Sequence, residues 1–362
     1  MSSKHEDEPQ IPQVGMIIEH EVGKWRVLRS IASGPFSDVF IVADANNHRK
    51  KYAMKVERQH GNLKAVLKLD VMVLTCMQRQ RAIGFPAMIA AGRTTAYKYL
   101  VMQMLGPDLG KLRRSLPDKR FSLSTALKIA LQTLDRLQSL HEAGWLCRDV
   151  KAPNLVIGSG EEEDNGMIYL LDFGFARRFR DNDGKIIPPR PSAALVGTFQ
   201  YAPLAAHAHK DQSPKDDLES WLYMTVELIK GPLPWGSFKD YHKMGDYKQA
   251  IRNEKRASFF EGIPEELGTI MDSIDQTTFY DTPDYDLFRR ELRSAATHAD
   301  IDLDTPMDWQ VQRWMLRRAH FVGDLGESHM ASARIANAPT TADDDDDRSS
   351  MPVDVTPPID SR

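Results

Sequence analysis

The sequence predicts an α+β fold in two lobes, a small β-rich lobe followed by a larger and mainly helical one. Three observations predict it. Between about Trp25 and Gln103 the apolar residues fall into short β-type runs with one helical stretch among them; from Pro107 onward helical spacing dominates; and 362 residues with 41% hydrophobic content suffice for a sizeable core. In chain order, Met1 to about Val14 is polar and acidic and is expected to be disordered. Trp25 to Ala32, Val39 to Ala43 and Tyr52 to Val56 read as strands. Leu63, Val66, Leu67, Val71, Leu74 and Cys76 lie close to helical spacing, so Leu63 to Met77 reads as a helix, and Tyr97 to Met104 as one more strand. The small lobe then covers about 25–103, the large one about 107–320, with a hinge near Met102 to Gly106. Clefts between lobes are where ligands sit. In the second lobe Leu127, Ala130, Leu131, Leu134, Leu137 and His141 mark a long amphipathic helix that Gly144 ends. Lys215 to Ile229 reads as another, with Leu218, Trp221, Leu222, Met224, Thr225 and Leu228 on its apolar side.

Charge is uneven along the chain. Residues 321–362 hold nine acidic and three basic side chains, including the run Asp343 to Asp347, and lack apolar periodicity. Such a segment cannot repay its ordering entropy, so a disordered acidic tail is expected there, solvating or partner-binding. The whole chain carries a net charge of -4, which argues against binding nucleic acid through bulk charge. Cys76 and Cys147 are too few for a disulfide framework or a structural zinc site. There is no apolar signal-peptide core and no apolar run of membrane-spanning length. The expectation is a cytoplasmic monomer, with the nucleus as a second compartment, and no nucleic-acid or membrane partner.

The densest cluster of polar chemistry is Cys147-Arg148-Asp149-Val150-Lys151-Ala152-Pro153-Asn154, after the long helix and its glycine turn. Eighteen residues past Asn154, behind the apolar run Ile168 to Leu171, stands Asp172-Phe173-Gly174. Polar groups on loops flanked by apolar strands are costly unless they are used. Asp149 could accept a proton from a substrate hydroxyl. Asn154 and Asp172 offer hard oxygen ligands suited to magnesium. Lys151, two residues from Asp149, could neutralise a phosphoryl group in transfer. The plainer alternative is that Asp149 and Asn154 cap turns while Asp172 ends a strand.

In this order, D-x-K-x-x-N, then a strand, then D-F-G, the set resembles the catalytic loop and metal-binding motif of eukaryotic protein kinases. The resemblance implies a bilobal kinase-like fold over about residues 25–320 and transfer of the γ-phosphoryl group of magnesium-ATP to a protein hydroxyl. It makes Asp149, Lys151 and Lys55 the catalytic candidates. Lys55, in the strand Tyr52-Ala53-Met54-Lys55, resembles the lysine that holds the α and β phosphates. Its carboxylate partner would be Asp70, where kinases normally carry the longer glutamate, so the pair must close a smaller gap or use water. Ile31, Ala32, Ser33, Gly34, Pro35, Phe36, Ser37, Asp38 and Val39 occupy the place of the glycine-rich phosphate loop, with Gly34 21 residues before Lys55. Only Gly34 remains of the three glycines, and Pro35 removes a donor, so the loop should be stiff. Ile31, Val39 and Ala53 would enclose an adenine, Met102 would face the back of its pocket, and the backbone of Gln103 to Leu105 would bond its edge.

The second lobe is similar to the casein kinase 1 superfamily in Gly197-Thr198-Phe199-Gln200-Tyr201-Ala202, in Lys215 to Trp221 and in Gly231-Pro232-Leu233-Pro234-Trp235. Tyr223 to Glu227, Pro283-Asp284-Tyr285 and Asp308-Trp309 resemble its tau-tubulin kinase branch. By this likeness Asp217 is the buried helix aspartate that bonds the catalytic-loop backbone, while Asp216 fits an exposed helix-start acid. Four departures bear on activity: Cys147 for a bracing histidine, Ala32 and Ser37 for glycines, Asp70 for glutamate, and Gln200 for an arginine that binds a phosphate or acidic group near the substrate. Lys248 is expected to face solvent, with retention of part of that basic site as the alternative. Arg148 could take a phosphate on the activation segment, with Ser192 as its acceptor, or meet Asp181 or Asp183 unmodified; the resembled family usually needs no such phosphorylation, and none is expected here. All five of Lys55, Asp149, Lys151, Asn154 and Asp172 survive, and Lys151 suits serine and threonine substrates. The alternative is a weak or inactive relative that serves as a binding scaffold; a small-molecule phosphotransferase ranks third.

Overall fold

The computed structural model describes residues 11–58, 66–159 and 166–311. The expected acidic tail, residues 1–10 and the expected helix start at Leu63 lie outside them.

The small lobe is a six-stranded antiparallel sheet in the order β1-β2-β3-β4-β6-β5. The strands are β1 (Ile17–His20), β2 (Gly23–Ser33), β3 (Asp38–Asp44), β4 (Lys51–Arg58), β5 (Met88–Arg93) and β6 (Tyr97–Gln103), with α1 (Val66–Arg79) between β4 and β5. Side chains alternate across a strand. In β4 this sends Met54 and Val56 into an outer cluster with Trp25, Val27, Val42 and Val101. Ala53, Lys55 and Glu57 face the other way, so a lysine and a glutamate are buried beside α1.

The large lobe holds α2 (Leu109–Ser115), α3 (Leu123–Glu142), the hairpin of β8 (Leu155–Ile157) and β9 (Ile168–Leu170), and β7 (Trp145–Leu146) paired with β10 (Arg177–Arg178). There follow α4 (Leu204–His207), α5 (Pro214–Lys230), α6 (Tyr241–Ala250), α7 (Arg256–Phe260), α8 (Glu266–Gln276) and α9 (Tyr285–His298). Ser122 caps α3 by accepting from Thr125 N. Gly144, at φ +81°, turns the chain out of that helix as only glycine does without strain. Fifteen of the seventeen residues of α5 are buried, which makes it the central helix of the lobe. One core runs from Leu67, Leu74, Met77 and Leu100 through Phe173 to α3, α5, α8 and α9, so both lobes pack on the cleft between them.

Two strands of the small lobe escaped the sequence reading, as did the short β7, β8 and β10 of the large one. β1 is four residues long and sends only Ile18 inward, and in β5, Met-Ile-Ala-Ala-Gly-Arg, the isoleucine is the one strong strand former. The expectation of disorder up to Val14 is corrected for residues 11–14. Pro12 is buried, Ile11 packs on the outer cluster, and Gly15 N and Met16 O bond the two polar groups of Val27.

Candidate active site

The site begins on β4. Lys55 Nζ stands 2.8 Å from Asp70 Oδ2 on α1 and 2.8 Å from Asp172 Oδ1. Burial alone would lower the Lys55 ammonium, but the two carboxylates hold it above its ordinary value. Burial works against the Asp172 charge as well, and Lys55 overcomes it, leaving that carboxyl below the usual range. The shorter Asp70 therefore needs no bridging water. Its other oxygen accepts Phe173 N at 2.7 Å, so one carboxylate ties α1 both to the lysine and to the Asp172-Phe173-Gly174 turn. Glu57, which the sequence reading passed over, brings α1 within reach. It lies two residues from Lys55 on the same face of β4, and its Oε2 accepts Leu67 N at 2.8 Å near the start of the described helix. The signal was available: a buried strand alternates, so a glutamate at i+2 from a buried lysine shares its environment. We expect Glu57→Ala to cost about 1–2 kcal/mol, as for loss of a helix cap, measured by thermal melting, and to raise KM for ATP as Asp70 draws back from Lys55.

The phosphate-loop candidates form the hairpin between β2 and β3. Gly34 N bonds Ser37 O at 3.0 Å, and Ser33 Oγ donates to the buried Asp38 carboxylate at 2.6 Å. Asp38 also lies 3.5 Å from Arg58. Cross-hairpin bonds thus stiffen a loop that has lost its outer glycines, Ala32 and Ser37 holding those places. Pro35 is exposed at the tip, and the Phe36 ring meets Phe175 edge-on, closing the tip over the residue after Gly174. Strand register sets Val39 beside Lys55, and Ala53 beside Met102. Ile31 is half-exposed on β2, at the rim. At the hinge Gln103 N bonds Ala87 O and Gly106 N bonds Ile157 O, which pins both ends of the Gln103 to Leu105 segment.

The catalytic-loop candidates converge around Asp149, which is 5% exposed. Its Oδ1 accepts Thr198 N and Thr198 Oγ1, both at 2.8 Å. Its Oδ2 lies 3.0 Å from Lys151 Nζ and accepts Asn154 Nδ2 at 3.2 Å. Lys151 Nζ also donates to Thr198 Oγ1 at 2.7 Å. Leu171 N bonds Asn154 O at 2.8 Å, so the β8–β9 pairing brings Asn154 to the strand end that leads into Asp172. Gly197 makes the approach of Thr198 possible: at φ +86°, a Cβ there would lie 2.4 Å from Arg148 O.

Asp217 supports this loop from α5. Its carboxylate accepts Cys147 N at 2.7 Å and Arg148 N at 2.8 Å, and stands 2.9 Å from His141 Nε2. The other ring nitrogen of His141 meets Tyr285 Oη at 2.6 Å. Arg148 sits at φ +63° and Asp172 at φ +62°, a region uncommon for residues other than glycine, and each is held there by its neighbours' bonds. Cys147 is fully buried, and burial with the nearby Asp217 charge pushes its thiol far up, so it packs rather than reacts.

Several expectations need correction. Arg148 Nε bonds Phe175 O, while the activation-segment charge is met by Asp211: Arg190 chelates it at 2.6–3.2 Å and Arg177 reaches it at 3.3 Å. Asp181 is spent on its own turn, accepting Asp183 N and Lys185 N. Burial, with Arg177 and Arg190 close by, brings the Arg148 guanidinium down to about 10. Asp216 is buried, not exposed; its Oδ2 accepts Ser213 N in a capping box, and burial pushes its carboxyl up to about 7. Lys248 is fully buried, not solvent-facing, because Tyr223 and Trp235 flank its ammonium at 5.2 and 5.5 Å. Burial, aided by Arg252, brings it down to about 7 against the pull of Glu219. Gln200 is not free: its amide donates to Glu227 Oε1, which also takes Arg113. Leu204 N bonds Glu219, which Arg252 pairs at 3.1 Å, so a carboxylate from α5 serves the segment that lacks one after Pro203.

A β-rich lobe with a buried lysine–carboxylate pair, set across a cleft from a helix-supported Asp/Lys/Asn loop and an Asp-Phe-Gly turn, defines a phosphotransferase of the protein kinase type. The model of the protein kinase domain matches residues 25–278, and the chain belongs to the protein kinase family. It is similar to the serine/threonine-protein kinase spe-6 of Caenorhabditis elegans, 55% identical over 92% of this chain and 88% of the relative. It also resembles a probable serine/threonine-protein kinase of Dictyostelium discoideum, 35% identical over 80% of this chain and 57% of that longer protein. The protein is a serine/threonine protein kinase, and the scaffold alternative finds no support in these relatives. Among the described residues no helix is long and apolar enough to cross a membrane.

Proposed function

We propose that this kinase is of the casein kinase 1 type, nearest the tau-tubulin kinase branch, and that it uses magnesium-ATP to phosphorylate serine or threonine in proteins. The observation that carries the reading is the joined set of contacts Lys55–Asp70–Asp172 and Asp149–Thr198–Lys151. Lys55 is charged and held by two carboxylates, fit to share its ammonium with phosphate oxygens. Asp149 orients the acceptor hydroxyl and takes its proton; Lys151 balances charge on the group in transfer. Ile31, Val39, Ala53 and Met102 border the adenine slot, and the backbone of Gln103 to Leu105 bonds its edge. The branch is supported by the work its signature residues do. Asp217 bonds the catalytic loop, Trp235 Nε1 bonds Gln200 O, and Asp308 caps α3 through Ser122 and Thr125.

The donor set suits magnesium. Asn154 uses its Nδ2 on Asp149, leaving the carbonyl end for a metal, and the Asp172 side chain is 43% exposed. Two hard oxygens are too few for a closed cage and fit an ion whose remaining ligands are water and phosphate. Bound there, magnesium would neutralise charge on the phosphates.

Labelled phosphate should pass from ATP to dephosphorylated casein, on serine and threonine only. Asn154→Ala should raise the magnesium needed for half-maximal transfer about tenfold or more. Label on tyrosine, or an unmoved magnesium requirement, would overturn the assignment. Gln200, neutral and engaged by Glu227, removes the family's phosphate-reading arginine.

A further inference from the structure

We propose that Lys248 is a positioning residue for the protein substrate, fixing from beneath the segment Phe199–Ala202 that follows Thr198. The inference rests on the reading of Asp149 as the group that receives the substrate hydroxyl.

An ammonium has three N–H donors and no acceptor. Those of Lys248 meet Ala202 O at 2.7 Å, Phe199 O at 2.9 Å and His207 Nε2 at 3.1 Å. The side chain is wholly buried, between Tyr223 and Trp235, and among the described residues no carboxylate is bonded to it. Burying a lysine nitrogen without a bonded counter-ion is costly, and an apolar side chain of the same length would pack there without that cost. What the lysine supplies, and methionine could not, is one nitrogen donating to two backbone carbonyls three residues apart, as ammonium or as free amine.

Those carbonyls belong to a segment held at nearly every step. Trp235 Nε1 donates to Gln200 O at 2.8 Å, Tyr201 Oη donates to Glu227 Oε2 at 2.6 Å, and Leu204 N donates to Glu219 at 3.0 Å. Just upstream, Thr198 bonds Asp149 through both its N and its Oγ1. A hydroxyl carried to Asp149 on a peptide must be borne alongside this stretch. The nucleotide contacts on Lys55, Asp70 and Asp172 share no partner with Lys248. Loss of the grip should therefore weaken the protein substrate and leave ATP alone.

The test is steady-state kinetics of the full chain with dephosphorylated casein and magnesium-ATP. Lys248→Met keeps the volume and removes every donor. We expect its KM for casein to rise about tenfold, with KM for ATP and the thermal shift on adding magnesium-ATP within twofold of wild type. Lys248→Arg keeps charge and donors but spreads them over a planar fork; it should raise the casein KM by a smaller factor, in the same direction. A wild-type casein KM in Lys248→Met, both KM values rising together, or failure of both variants to fold would overturn the proposal. A wild-type chain without transfer to casein would instead overturn the reading on which it rests.

Discussion

Asp149→Asn should lower kcat by about 10²–10⁴, the range for loss of a positioned proton acceptor. The expectation does not rest on proton affinity alone. All the donors around Asp149 point at a carboxylate: Thr198 N and Oγ1 at one oxygen, Lys151 Nζ and Asn154 Nδ2 at the other. An amide of the same shape must turn its NH2 toward one of these pairs, so a donor faces donors whichever way it lies. The substitution removes the acceptor and disturbs Lys151 and Thr198 together. Nucleotide binding should survive, because Lys55, Asp70 and Asp172 make none of these bonds. Single-turnover transfer, with ATP affinity measured by thermal shift, separates the two effects. An Asp149→Asn protein with wild-type turnover would remove Asp149 from the chemistry; one that no longer binds ATP would show that the two halves of the site are not independent.

What the sequence made legible was the part of the site whose chemistry needs particular atoms in a fixed order. Asp149, Lys151, Asn154 and Asp172 stand in one short loop and one turn, and Lys55 emerges from an apolar run, so their order, together with the resemblance to protein kinases, brought them together. The two main helices of the large lobe were readable because α3 and α5 run long enough for periodicity to speak, α3 from Leu123 to Glu142. Less legible were partners chosen by tertiary contact. Nothing local in Asp211 points to Arg177 and Arg190, and nothing in Lys248 distinguishes a lysine buried between Tyr223 and Trp235 from one in solvent. Asp216 misled because a helix-start acid is usually solvated, whereas this helix lies at the centre of its lobe. Thr198 stood in a recognised motif, yet its bond to Asp149 depends on the positive φ of Gly197, a property of the folded backbone. Local order thus reveals the candidate reacting groups, and the fold alone reveals what would aim them.

Asp217→Ala should be the most destabilising of the supporting changes, at about 3–5 kcal/mol, the cost of breaking a buried charged network on one side. The carboxylate is 1% exposed and is the acceptor for two consecutive backbone N–H groups, Cys147 and Arg148, as well as the neighbour of His141. Side chains can be deleted; those two N–H groups cannot, and without Asp217 the buried one of Cys147 and the half-buried one of Arg148 both lose their acceptor. Arg148 adds to the cost, since its φ of +63° is a conformation that a long side chain rarely holds unless its peptide is fixed. For a domain of this size the loss corresponds to a fall in melting temperature of roughly 6–20 °C, with a lowered kcat as Asp149 loses its anchor. His141→Ala leaves both backbone bonds to Asp217 in place, so it should cost clearly less. The double variant should be little worse than Asp217→Ala alone, because the two residues share one network. Were His141→Ala as damaging as Asp217→Ala, the aspartate would be acting through the imidazole, and the account of a helix holding the catalytic loop by its main chain would fail.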